Sequence, residues 1–154
     1  MRFGIAAALA LIAAPLGAAQ TTPVAPDLST ATPMAGTWTY AATADGSEAT
    51  FANASGFAQL WMRCSRATRQ VSIAKPATAA APSISVWTSS LSRIVPATYN
   101  AATGRLTINI AANDPLLDAI ANSRARLGFT VSPQPPLVVP AWAEPARVIE
   151  DCRG

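Results

Sequence analysis

In the stretch "SIAK", Ser72 and Lys75 match the S-x-x-K pattern of serine acyl-enzymes, in which the serine opens a helix and the lysine follows one turn later on the same side. The surrounding residues "VSIAKP" alternate as a strand, where positions i and i+3 project to opposite faces, and no S-D-N or K-T-G element accompanies them. The match is read as accidental. Asp114 and Asp118 stand at i, i+4, a spacing that suits cation binding or acid/base work in a small carboxylate-dependent hydrolase. Their place in the first turns of a helix makes capping and dipole pairing the simpler reading. Binding chemistry has better candidates. Trp61 and Arg63 project from the strand face opposite Cys64, and Trp87 from the face opposite Ile84 and Val86, so both indoles could share a second sheet surface. Tryptophan with arginine is the composition of binding hot spots, and tryptophan also stacks on sugar rings. The alternative is a curled sheet whose indoles fill a second core layer, which the scarcity of large residues favours.

The chain has no histidine. That removes Ser-His-Asp and Cys-His catalysis, the usual general base near neutral pH and the commonest metal ligand. Its 2 cysteines lie too far apart in sequence for a CxxC centre and are too few for a zinc site. No GxGxxG or GK[ST] phosphate loop occurs. No catalytic residue, cofactor or metal site is expected. Basic residues number 11 against 8 acidic ones, an excess too small to mark a nucleic-acid surface.

The elements that must hold these residues follow from periodicity. Residues 1–19 have one basic residue (Arg2), an apolar run and small residues before Ala19, the order of a secretory signal peptide cleaved after Ala19. The run is too short to span a bilayer, and no later segment is long enough, so no stable membrane insertion is expected after cleavage. Residues 20–36, rich in Pro, Thr and Ala, have few large apolar groups to offset ordering entropy and are expected to form a flexible leader. Residues 37–154 are of single-domain size.

Within that domain the period is two from Trp38 to Ile110. Leu60, Met62 and Cys64 share one face, as do Leu106, Ile108 and Ile110. Clean alternation predicts an antiparallel sheet with one face buried. "NDPLLDAIANSRARLG" then predicts a helix capped by Asn113 or Asp114, carrying Leu127 on its apolar stripe and ending at Gly128. "FTV" and "LVVPAW" return to strand. In the last helix Pro145, Val148, Ile149 and Cys152 fall on one face, with Arg147 and Asp151 paired outside. Cys152 and Cys64 therefore both face the core. Two inward cysteines in an exported chain predict a disulfide that pins the last helix to a central strand.

The segments "LWMRCSRATRQVSI", "NDPLLDAIANSRARLGFTV" and "PARVIEDC" set out a strand ending in cysteine, a return strand, a late helix, an F-x-V strand and a terminal helix closed by cysteine. In this the chain resembles small exported proteins of Gram-negative bacteria and, more distantly, the invasion-associated locus B family and periplasmic proteins associated with type VI secretion. The resemblance runs from Leu60 to Cys152 and implies a Gram-negative envelope location and the same disulfide. It brings no active-site residues with it.

The expected fold is α+β: a curved antiparallel sheet of about seven to nine strands, two helices, and the C-terminal helix disulfide-linked to a central strand. The expected function is that of a non-catalytic periplasmic or secreted binding module that contacts an envelope protein or cell-wall component through Trp61, Arg63 and Trp87. A purely structural envelope protein is the remaining alternative.

Overall fold

A computed structural model describes residues 25–154, so the signal peptide expected over 1–19 and the first leader residues lie outside the described part. The period-two segments form strands β1 (Gly36–Thr43), β2 (Gly46–Asn53), β3 (Ala58–Ser65), β4 (Gln70–Pro76) and β5 (Ser83–Trp87). They continue through β6 (Ser92–Pro96), β7 (Thr98–Asn100), β8 (Arg105–Ala111), β9 (Arg126–Thr130) and β10 (Leu137–Pro140). Helix α1 (Pro115–Ala121) precedes β9, and α2 (Ala143–Asp151) closes the chain.

The fold is α+β, with every strand pair antiparallel and the strands divided between two sheets. One sheet has the order β1-β2-β3-β4-β8-β7 and the other β10-β9-β5-β6. Both edge strands that periodicity did not reveal, β6 and β7, are short, and β6 ends in Pro96. Proline is tolerated at such an edge because its missing N–H is not needed for pairing.

The two sheets share one core. Leu60, Met62, Ile73 and Ile108 come to it from the larger sheet, Ile84, Val86, Leu127 and Phe129 from the smaller one. A hydrogen bond from Trp38 Nε1 to the Pro140 carbonyl, 2.8 Å long, ties β1 to β10 across the layers. At one end of this core α2 lies on β1, β2, β3 and α1 and buries Pro145, Val148 and Ile149. There Cys64 and Cys152 are joined, with their Cα atoms 5.3 Å apart. The C-terminal helix is thus linked to a central strand of the larger sheet, as the inward stripes require.

Helix α1 is shorter than its sequence pattern. Asp114 caps it by accepting from the Leu116 N–H at 2.8 Å, but the helix stops at Ala121, and Leu127 is buried as part of β9. The cause is tertiary. The Ser89 N–H donates to Ser123 Oγ (3.1 Å) and the Arg124 N–H to Ser89 Oγ (2.9 Å), drawing this segment to the β5–β6 turn, while Ala125 takes a φ of 64°. These contacts override the helical propensity of "SRAR".

The leader is also docked along its last residues. Leu28 is buried against Gly128, where a Cβ would overlap the Leu28 Cδ1. Arg126 Nη1 donates to the carbonyls of Ser29 (2.6 Å) and Ala31 (2.8 Å), and the Met34 N–H to that of Val138 (2.7 Å). One leucine filling a glycine-sized gap offsets ordering entropy that composition alone does not recover; such a burial is worth about 2 kcal/mol. Gly128→Ala is expected to unseat this strap without unfolding the domain. Thermolysin should then cut near Leu28 or Met34 several-fold faster than in the wild type, and an unchanged cutting rate would show that the contact does not hold the strap.

Candidate functional site

The structure does not bring the Trp61, Arg63 and Trp87 side chains together. Trp61 and Arg63 lie on the outer face of β3 in the larger sheet, whereas Trp87 lies on β5 in the smaller one, opposite Gly128 and Ser92. Alternation fixes which face of a strand a residue occupies but not which sheet the strand joins. Both indoles are half-buried. The Arg105 guanidinium stacks 3.6 Å above the Trp61 ring, and Arg63, exposed, reaches Glu48 at 3.9 Å. An exposed pair of that length contributes little to stability.

The carboxylates that suggested acid/base chemistry have arginine partners. Asp114 pairs with Arg93 at 2.9 Å and Asp118 with Arg153 at 2.8 Å. The hydrogen bond from Arg93 is the main reason that the Asp114 carboxyl is held below its ordinary range, with the cap to Leu116 adding to it. Asp114 so held does not resemble a group poised to exchange a proton near neutral pH. Ser72 and Lys75 project to opposite faces of β4: the serine hydroxyl bonds outward to the Arg63 carbonyl at 3.4 Å, while the lysine turns inward.

That inward lysine is the feature that the motif reading passed over. Lys75 continues the buried stripe of Val71 and Ile73 at period two, and only 6% of it is exposed. It is the sole lysine of the chain. It lies at the end of the core remote from the disulfide, where it lines an open cleft of about 310 Å³. Gln59 of β3 completes the polar part, and Met34, Pro135, Pro136 and Leu137 form the apolar walls. Each element has a reason to be there. The strap presents Met34 because Leu28 and Arg126 fix it just upstream, and the proline-rich β9–β10 loop presents Gln134, whose N–H bonds back to the Val131 carbonyl at 2.7 Å.

Lys75 Nζ donates to Gln134 Oε1 at 3.3 Å, and among the described residues no carboxylate lies within ion-pair distance of it. Burial pushes its ammonium below the ordinary lysine value of 10.5. The folded chain therefore binds fewer protons than the unfolded chain between the lowered value and 10.5, so this group's contribution to stability rises with pH across that window. Lys75→Met keeps the stem and removes the charge. The variant is expected to be at least as stable as wild type at pH 7, and the wild type should gain on it as pH climbs toward 10.5, measured by urea unfolding at each pH. A difference that stays flat with pH would mean that the ammonium is solvated.

Comparison of the chain with protein-family models, with curated proteins and with solved structures finds no match.

Proposed function

We propose that this protein is a non-catalytic binding module of the Gram-negative envelope that engages a cell-wall component or an envelope protein at the Lys75 cleft. The observation that carries the reading is Lys75, a lysine with a buried stem whose ammonium lines a cleft and has no carboxylate partner among the described residues. A partly desolvated charge of this kind carries a cost, which a ligand that supplies its partner relieves. Concave sites with apolar walls and a few convergent polar groups are where small ligands and chain ends bind. The absence of histidine and the arginine pairing of Asp114 and Asp118 favour binding over hydrolysis. The disulfide suits an oxidising compartment, and an envelope location is what the resemblance to exported proteins implies. Trp61 and Arg63 do not line the cleft, and on the face of β3 that continues from Gln59 they offer a further surface to a larger partner.

The test is a titration of ¹⁵N-labelled protein with solubilised cell-wall fragments, followed by mass analysis of the fragments. Shifts centred on Gln59, Lys75 and residues 134–137 with the fragments recovered intact are expected. Shifts confined to Trp61 and Arg63 would move the site to the outer face of β3, and turnover of the fragments would make the protein an enzyme.

A further inference from the structure

We infer that the Lys75 cleft selects a monoanionic carboxylate carried on a short aliphatic body, an inference that rests on the binding reading and names its ligand class. The polar lining is unusual in what it offers. Gln134 accepts from Lys75 Nζ with its amide oxygen, and its NH₂ group makes no hydrogen bond among the described residues. Gln59 donates one N–H to the Phe57 carbonyl at 3.3 Å and retains the other. Lys75 itself has three N–H donors and uses one. The cleft is therefore lined by three side chains with unused N–H donors, one of them charged, against the amide oxygen of Gln59 and one remaining lone pair on that of Gln134, so donors predominate and an accepting anion is the fuller complement.

Charge decides which acceptor. A lone ammonium balances a single negative charge, and the cleft has no arginine or second lysine to match a phosphate dianion. A carboxylate satisfies both counts: it carries one charge and has oxygen lone pairs enough for Lys75, Gln134 and Gln59 together. The remainder of the lining is apolar. Met34, Pro135, Pro136 and Leu137 have no polar side-chain group to offer a sugar or a nucleobase, and they suit methyl and methylene groups. The volume of about 310 Å³ lies at the lower end of ligand sites, which fits a small acid or the acid-bearing end of a longer molecule.

The chemistry is shared by an acyl chain and by a peptide C-terminus, and the probes distinguish them. Octanoate, octanol and N-acetyl-alanyl-alanine are each titrated into the disulfide-intact chain and into Lys75→Met, with amide shifts as the readout. Octanoate or the dipeptide is expected to shift residues 59, 75 and 134–137, with affinity at least ten-fold weaker in Lys75→Met and octanol at least ten-fold weaker than octanoate. Tighter binding of octanoate identifies an acyl ligand, and tighter binding of the dipeptide a peptide terminus; either supports the inference. Octanol binding as tightly as octanoate overturns the carboxylate and leaves the cleft as a binding site. No shift with any probe overturns the ligand class, while the cell-wall titration still judges the binding reading. The octanoate-to-octanol ratio in wild type decides the matter even if Lys75→Met does not fold.

Discussion

Replacing Cys64 and Cys152 together by alanine is expected to lower the unfolding free energy by about 4 to 5 kcal/mol, the loop-closure entropy of a bridge this long. The bond spans 88 residues, so its loss frees most of the domain in the unfolded state. The native state also feels the change locally. Helix α2 has 9 residues, too few to persist alone, and Trp142 at its N-cap provides no side-chain hydrogen bond. Its other attachments include the burial of Pro145, Val148 and Ile149, the Tyr40 hydroxyl that donates to Asp151 at 2.5 Å while the Arg147 guanidinium lies over its ring, and a bond from Arg66 Nε to the Asp151 carbonyl at 3.2 Å. Urea unfolding gives the global loss, and amide exchange over residues 145–152 should speed up beyond it. A loss under about 1 kcal/mol would mean that packing alone holds the helix.

Gly46→Ala is expected to cost about 3 kcal/mol or more, from backbone strain and overpacking together. Gly46 has a φ of 152°, a region that side chains rarely enter, and a Cβ there would lie 2.6 Å from the Cys64 carbonyl oxygen and 3.1 Å from its sulfur. The backbone cannot retreat because the turn before it is fastened to the end of β3. Asp45 accepts from Ser65 Oγ at 2.6 Å and from the Ala67 N–H at 3.0 Å, and the Arg66 N–H donates to the Asp45 carbonyl at 2.9 Å. The glycine therefore allows the β1–β2 turn to close directly over the disulfide. Thermal unfolding of the variant should fall by ten degrees or more, on the order of 4 to 8 °C per kcal/mol for a domain near this size. A shift of a degree or two would show that the turn slides to make room.

Much of this architecture is local and was legible in the residues. The faces of β3 and β8 follow from Leu60, Met62 and Cys64 and from Leu106, Ile108 and Ile110, because a strand places alternate side chains on one side whatever it pairs with. The stripe of Pro145, Val148, Ile149 and Cys152 likewise specifies the buried side of α2, and with the inward Cys64 it specifies the disulfide. Asp114 announces the start of α1 because capping depends on only the next few residues.

The rest depends on neighbours distant in sequence. Trp61 and Trp87 occupy outer faces as their strands dictate, but the chain crosses between sheets after β4, and that crossing separates them. Leu127 fits a helix by spacing and lies in β9 because Ser89 and Ser123 bind each other across the fold. Leu28 is ordered by the space that Gly128 leaves, and the surroundings of Lys75 come from the strap and the proline-rich loop that line the cleft with it. The sequence by itself determined the faces, the N-cap of α1 and the covalent link, since periodicity and short-range hydrogen bonds act within a few residues. Only the tertiary structure decided the pairing of sheets, the docking of the strap and the cleft over Lys75, since these arise where segments far apart in the chain exclude water from the same space.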